Sequence, residues 1–343
     1  MTEKDLSSEF LSTVQDYYSL GINQQLDYDK FYLYSIITHS TAIEGSTVTE
    51  VEAQLLFDEG ITSSKRTITE QMMNLDLKNA YEKSFEYAKN HEKLTVEMLC
   101  KLSSILMQNT GTEYNTIAGS FSSAKGELRL VNVSAGRGGK SYLAWQKVPD
   151  RLQKTCDYLN RRRSEIDKNN IEEIYKLSFE AHYLLVSIHP WADGNGRMSR
   201  LVMNMIQKEF DVIPSIVKKE NRVEYIQSLA SSQVKDDMQD FMDFMMNHHI
   251  QNLLQQINEY SESLADDTLN YKNDTLNDTL KLSPKEITVL EIIKSNLTVT
   301  TAQIVEQTGF SRPTVMRAIK NLKENKILER VDSKKTGSWK VNL

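Results

Sequence analysis

Apolar positions along most of the chain recur at three- and four-residue spacing, the mark of helices that pack by one face. Phe31, Tyr34, Ile37 and Thr38 share the inner face of a helix predicted to end near Ala42. Leu75, Leu77, Ala80, Tyr81, Phe85 and Ala88 mark a long helix before Asn90. Ile174, Leu177, Ala181, Leu184, Leu185 and Ile188 predict a buried helix that runs into His189, where Pro190 stops it. Arg197 to Phe210 reads as the next helix, with Leu201, Val202, Met205 and Ile206 inward, and Met238 to Leu264 contains another amphipathic one.

One stretch changes period. Glu127 to Val133 alternates apolar and polar residues, then come Gly136, Gly138 and Gly139, then Ser141 to Trp145. This predicts a β-hairpin with a glycine-rich tip. The tip lacks the spacing of a phosphate-binding P-loop, and Gly139-Lys140-Ser141 alone is a weak sign of one. Asp266 to Leu282 repeats an Asp-Thr-Leu-Asn theme without sustained periodicity and reads as a linker.

The last 61 residues, from Ser283, form their own pattern. Ile287, Leu290, Ile292 and Ile293 mark a first helix, Thr301 to Gln307 a short second one closed by Gly309. Ser311 as N-cap and Pro313 in the first turn open a third helix running to Asn325. Ile327 to Val331 and Trp339 to Val341 bracket a turn, Ser333 to Gly337, that carries Lys334 and Lys335. Two strands after a helix-turn-helix predict a winged helix, whose third helix offers Arg312, Thr314, Arg317 and Lys320 to a DNA groove. Protein contact or dimerisation is the alternative use of the same unit. The expected organisation is an N-terminal helical region over 1–95, a catalytic core over 96–262, a linker over 263–282 and a winged helix over 283–343.

Composition narrows the class. A length of 343 residues implies two or three domains, and 39% hydrophobic with 26% charged residues suits a folded chain. Cys100 and Cys156 stand far apart, without the spacing of a disulfide framework or a zinc site, which predicts a reducing compartment. The polar start, Met1 to Phe10, and the lack of any apolar run long enough to span a bilayer predict a cytoplasmic protein without membrane contact. The net charge of −6 conceals an asymmetry. From Ser283 onward Lys and Arg outnumber Asp and Glu by 11 to 6, a balance of +5 that leaves −11 on the rest, so only the basic end favours nucleic acid.

The chemistry concentrates between His189 and Arg200, in the run His-Pro-Trp-Ala-Asp-Gly-Asn-Gly-Arg-Met-Ser-Arg. A histidine at a helix end can take a proton from a hydroxyl near neutral pH. Asp193 is a hard oxygen ligand that suits Mg²⁺ on phosphates; zinc would need more nitrogen or sulfur ligands, and His182 lies seven residues back. Gly194-Asn195-Gly196 lets backbone N–H groups turn inward at a helix start, where the dipole also favours an anion. Arg197 and Arg200, three apart, each reach phosphate oxygens from neighbouring turns. Together they predict attack by a protein hydroxyl on a nucleotide phosphate; the alternative is a capped helical corner with a core histidine.

This run resembles the motif of the Fic (filamentation induced by cAMP) family, H-P-F-x-[DE]-G-N-G-R-x-x-R, with Trp191 where the family usually has Phe. The resemblance covers about Phe31 to Met246. It implies a mainly α fold, with a Fic-type helical core and a short β-hairpin flap followed by the winged helix-turn-helix domain. It implies a protein adenylyltransferase using ATP and Mg²⁺ to place AMP on a Ser, Thr or Tyr hydroxyl of a target protein or of itself. His189 would be the general base and Asp193 the Mg²⁺ ligand. Gly194, Asn195 and Gly196 would form the anion hole, and Arg197 and Arg200 would hold the β- and γ-phosphates. The nucleotide site would span Asp193 to Arg200, with Met198 and Ser199 included. Tyr225 matches a position against the adenine, and Gln233 stands where relatives often place Asn. The glycine-tipped segment, about Val131 to Tyr142, looks like the flap that docks a target by strand addition.

Ser40-Thr41-Ala42-Ile43-Glu44-Gly45 resembles the family's inhibitory pattern, [ST]-x-x-x-E-[GN], in the class with an N-terminal inhibitory helix. Glu44 paired with Arg200 would deny that arginine to the γ-phosphate and add negative charge where phosphate must sit. Other readings stay open: removal of AMP from a modified target, another nucleotidyl or phosphoryl transfer, or a DNA-binding regulator whose Fic core senses nucleotide. Surfaces near Tyr17 to Leu26, or the winged helix, are the candidates for a homodimer contact.

Overall fold

The computed structural model describes residues 3–135, 141–280, 283–325, 327–331 and 338–341, and divides into two compact units, Met1–Tyr260 and Ser261–Leu343. The first unit opens with α1 (Glu3–Ser19), α2 (Tyr28–Ile43) and α3 (Glu50–Glu59), followed by α4 (Ile68–Lys89) and α5 (Val96–Leu106). A small antiparallel sheet comes next, β1 (Glu113–Thr116) with β2 (Gly119–Ser122), Glu113 facing Ser122. Then come α6 (Val148–Glu165), α7 (Ile171–Ile188), α8 (Asn195–Glu209), α9 (Arg222–Lys235) and α10 (Gln239–Leu280), whose residues beyond Tyr260 fall in the second unit.

Some of the helices begin where their sequences supply caps. Thr49 with Glu52 and Thr67 with Glu70 close reciprocal capping boxes at α3 and α4. Helix α8 differs, because it starts at Gly194 with φ 81° and no capping side chain. The core is made of the apolar faces of α7 and α8, both fully buried at Leu177, Phe179, Leu201 and Val202, with Leu77 and Tyr81 of α4 packed against them. Phe10, Val14 and Tyr17 of α1 complete it. Tyr17 is fully buried, so a dimer contact near Tyr17 to Leu26 would have to use residues such as the exposed Leu26. The buried face of α2 includes Tyr32, Tyr34, Ile36, Ile37 and Thr38, while Phe31 is exposed.

Two expectations need correction. The alternating run 127–133 does not become a regular hairpin. Ser134 and Ser141 form one isolated bridge, and the Tyr142 N–H donates to the Val133 carbonyl at 3.0 Å. The reason is Arg129, which sits buried in the middle of the run. Its N–H donates to the Pro190 carbonyl at 3.0 Å, and its guanidinium takes up the carbonyls of Val131 and Leu143. The backbone is thus tied to the interior rather than to a cross-strand partner. The glycine tip itself, 136–140, lies outside the described residues. The segment 263–282, expected as a linker, is helical as far as Leu280, as the end of α10. No Gly or Pro interrupts the sequence between Gln239 and Ser283, so nothing stops the helix.

The second unit carries α11 (Pro284–Ser295), α12 (Thr301–Thr308), α13 (Arg312–Glu324), β3 (Leu328–Val331) and β4 (Ser338–Val341). Gly309 ends α12 at φ 70°, and the two strands pair antiparallel with Leu328 opposite Val341. Its core is Val289, Ile293, Val299, Ile304, Val315, Leu322 and Trp339, whose indole N–H donates to the Val299 carbonyl at 2.9 Å. This is the expected winged helix. Lys334 and Lys335 lie outside the described residues.

Candidate active site

Between α7 and α8 the chain makes one tight corner. The residue before a proline is disfavoured in the helical region, and His189 instead takes φ 53°, ψ 63°. A non-glycine residue in the left-handed region must be held there by its surroundings. Arg129 supplies the hold, its Nε donating to the His189 carbonyl at 2.7 Å. Trp191 anchors the other side, fully buried, with its indole N–H on the Gly126 carbonyl at 3.1 Å. Asn195 exchanges hydrogen bonds with the Trp191 backbone, its Oδ1 accepting at 3.1 Å and its Nδ2 donating at 2.9 Å. The asparagine of the motif therefore locks the corner rather than facing outward.

The His189 imidazole is half-buried, and the Tyr142 ring stacks on it with centroids 4.0 Å apart and planes 17° from parallel. Burial brings its pKa down to about 4, with the Val186 carbonyl opposing and the Arg129 charge adding. At neutral pH the ring is uncharged and has a lone pair to offer.

The start of α8 holds a carboxylate from within the chain. Glu44, at the end of α2, places Oε1 at 2.6 Å from Nη2 of Arg200. A Cβ added to Gly196 would lie 2.6 Å from that same oxygen, so only glycine allows the carboxylate so close to the helix start. Burial disfavours the Glu44 charge, yet Arg200, with Arg197 and Arg222 beyond it, holds its carboxyl below the ordinary range. Arg222 also fixes the segment by donating from Nε to the Ile43 carbonyl at 2.7 Å.

The two arginines differ in how they are satisfied. Arg200 is 2% exposed and donates from Nε to Ser40 Oγ at 2.8 Å and from Nη2 to the Ser40 carbonyl at 3.0 Å. Its Nη1 donates to the Tyr225 hydroxyl at 3.3 Å. Burial lowers its pKa, but Tyr225 and Glu44 outweigh that and the net shift is upward. Arg197 is 3% exposed, and its Nε and Nη1 have no hydrogen-bond partner among the described residues. Its Nη2 rests 3.2 Å from the Met107 sulfur and 3.8 Å from an Asp193 oxygen. A buried cation with idle donors is costly unless an anion completes it. Asp193 is exposed and, among the described residues, otherwise accepts only the Gly194 N–H, at 2.6 Å.

Thus His189, Asp193, Gly194, Gly196, Arg197, Arg200 and Glu44 gather at one corner. Met198 and Ser199 do not share it by their side chains, which are buried in the interior because they occupy other faces of α8. Tyr225 is 1% exposed, enclosed by His182, Phe241 and Phe244, and offers no free face to an adenine in this conformation. Gln233 instead lines a cavity of about 320 Å³ beside Tyr142, Leu143, Tyr183 and Ser187. Arg129, Tyr142 and His182 escaped the reading of the sequence. Only the position of Tyr142 just after the glycine tip hinted at a role.

Residues 93–207 match the Fic/DOC family and residues 280–337 the MarR family. The chain carries a Fic/DOC family domain. Its winged helix is of the MarR family. The chain is similar to protein adenylyltransferase fic-1 of Caenorhabditis elegans, 24% identical over 78% of this chain and 48% of that protein. It is also similar to fic-1 of Caenorhabditis briggsae, 25% identical over 64% of this chain and 40% of that one. The chain therefore spans less than half the length of these relatives. Among solved structures, a Fic-1 fragment from C. elegans aligns with TM-score 0.60 at 20% identity, covering 76% of this chain and 74% of that one. A Fic family protein from Desulfovibrio desulfuricans aligns with TM-score 0.56 at 19% identity, covering 100% of this chain and 97% of that one. At such identities the likeness concerns the Fic fold of the domain alone.

Proposed function

We propose that the Fic/DOC domain transfers AMP from ATP to a Ser, Thr or Tyr hydroxyl of a target protein or of itself, and that Glu44 holds it at rest. The observation that carries this reading is the filled anion cradle: a carboxylate of the chain occupies the start of α8 beside Arg200, while Arg197 next to it keeps idle donors. A polyphosphate chain has the charge and the oxygens to replace that carboxylate and to complete Arg197. The names of the relatives agree with this activity.

In the transfer, the acceptor oxygen bonds to the α-phosphorus, the bond to the oxygen that bridges α and β breaks, and pyrophosphate leaves. His189 Nε2 takes the hydroxyl proton, and the uncharged imidazole is ready for it at neutral pH. Arg197 and Arg200 bind the β- and γ-phosphates, and Gly196 lets them approach the N–H groups of α8. Asp193, exposed at the same corner, would hold Mg²⁺, which when bound shields phosphate charge. The cavity beside Tyr142 and Gln233 would receive the nucleoside. We place the activity in a reducing, cytoplasmic setting, which suits the unpaired thiols of Cys100 and Cys156. ATP labelled at the α- or γ-phosphate tests the chemistry: retention of α-label alone is expected, and retention of γ-label would mean phosphate transfer instead.

A second role rests on the MarR-family unit. Arg312, Arg317 and Lys320 are exposed on α13, and Thr314 is half-buried beside Ser311, so this face is free to meet a DNA duplex.

A further inference from the structure

Arg200 has five N–H donors, and four are accounted for, by Ser40 Oγ, the Ser40 carbonyl, Glu44 and Tyr225. Glu44 must leave when nucleotide enters, as the proposed function has it. Ser40 and Tyr225 are then the groups that keep the guanidinium plane aimed at the start of α8. Ser40 belongs to the inhibitory helix; Tyr225 belongs to α9, on the core side. Tyr225 can accept the Arg200 N–H only while its own proton points elsewhere. The Nε2 of His182 lies 2.8 Å from the Tyr225 oxygen, within hydrogen-bond reach of that proton.

We infer that His182 and Tyr225 are positioning residues for Arg200: the imidazole accepts the tyrosine proton, which leaves the phenol oxygen free to accept from the guanidinium. The arrangement requires an uncharged His182 with its proton on Nδ1. His182 is fully buried, and burial, with the Arg200 charge adding, pushes its pKa far below the ordinary value. Nε2 is the ring nitrogen that meets Tyr225, and Nδ1 has no hydrogen-bond partner among the described residues. The ring is held by Phe241, stacked 4.9 Å away at 22°. Neither residue reaches the nucleotide: Tyr225 is 1% and His182 0% exposed. Their effect passes through Arg200, and so it falls on the terminal phosphates.

This inference rests on the nucleotide-binding reading, and the test separates the two. In full-length Glu44→Gly protein, Tyr225→Phe removes one oxygen and His182→Leu removes the acceptor, whereas His182→Gln restores an acceptor through its amide oxygen. Titration calorimetry with Mg²⁺·ATP and, separately, AMP reads the outcome. Tyr225→Phe and His182→Leu are expected to weaken ATP binding on the order of tenfold, the size of one hydrogen bond to a charged group. AMP, which lacks the β- and γ-phosphates, should bind as to the parent, and His182→Gln should recover most of the ATP affinity. Equal loss for ATP and AMP would show a merely structural role, and unchanged ATP binding in Tyr225→Phe would overturn the inference. A parent that binds no ATP would overturn the nucleotide-binding reading and this inference with it.

Discussion

Glu44 and Arg200 meet at 2.6 Å across 156 residues of sequence, and the carboxylate lies where a Cβ on Gly196 would collide with it. One contact thus does two things. It engages Arg200 near the start of α8 and, under the proposed function, fills the space a phosphate oxygen would need. The Glu44 side chain is 35% exposed, so this proposed plug faces solvent on one side.

Charge and shape in that plug can be separated. Glu44→Gln keeps the volume and one hydrogen bond but loses the ion pair, and Glu44→Gly loses both. ATP affinity and transfer rate should rise in the order wild type, Glu44→Gln, Glu44→Gly, read by calorimetry and label incorporation. Equal behaviour of wild type and Glu44→Gly would remove the inhibitory role. Because Arg200 depresses the Glu44 pKa, the ion pair stabilises the fold above the ordinary carboxylate pKa and is lost only as pH falls through the lower, folded value. The plug should therefore stay closed across the neutral range.

Gly196→Ala should behave unlike Glu44→Gly. The new methyl would push Glu44 away yet occupy the cradle itself, 3.2 Å from Arg200 Nη1. ATP binding should fall on the order of tenfold or more and transfer should not rise. Activation by Gly196→Ala would mean that the cradle is not where phosphate sits.

With His189 at about 4, the acid limb of kcat/KM in Glu44→Gly protein should lie near that value, with a flat profile from about pH 6 to 8. His189→Ala should abolish transfer and keep ATP binding. A limb centred near the ordinary histidine pKa, about 6.5, would show that burial does not govern the base.

Arg129→Met should cost roughly 2–4 kcal/mol, because the carbonyls of His189, Val131 and Leu143 lose a charged donor in a buried place. Urea unfolding should show a lower midpoint with unchanged slope. Loss of transfer should accompany it, since the left-handed turn at His189 loses its tie. A stability change under about 0.5 kcal/mol, the size of an ordinary surface substitution, would contradict this.

For the winged helix, Arg312→Ala with Arg317→Ala should weaken duplex binding and flatten its dependence on salt. Binding that is salt-independent, or unchanged in the double variant, would assign α13 to protein contact.

Much of this was legible in the residues because it is local. The 3.6-residue pattern gave α7, α8 and the winged unit, and the spacing of Arg197 and Arg200 put both on one side of α8. Glu44 was legible through its pattern, Ser40 to Gly45, though not through any local physics. What escaped depends on contacts between distant segments. Arg129 sits in an alternating run that mimics a strand, and only its burial against residues 188–190 reveals why the described part of the run forms no regular ladder. The β1–β2 sheet was missed because each strand has four residues, mostly polar, and the second opens at Gly119 with φ 126°. His182 entered the sequence reading only as too lone a partner for zinc; its burial against Phe241 and beside Tyr225 appears only when α9 and α10 are in place.

The most direct test is the intact mass of the Glu44→Gly protein beside wild type after incubation with Mg²⁺ and ATP. The Glu44→Gly protein should gain the mass of one or more adenylyl groups while wild type gains little, and a Glu44→Gly, His189→Ala double variant should gain none. An unmodified Glu44→Gly protein that also modifies no protein in a lysate supplied with α-labelled ATP would contradict a plugged adenylyltransferase.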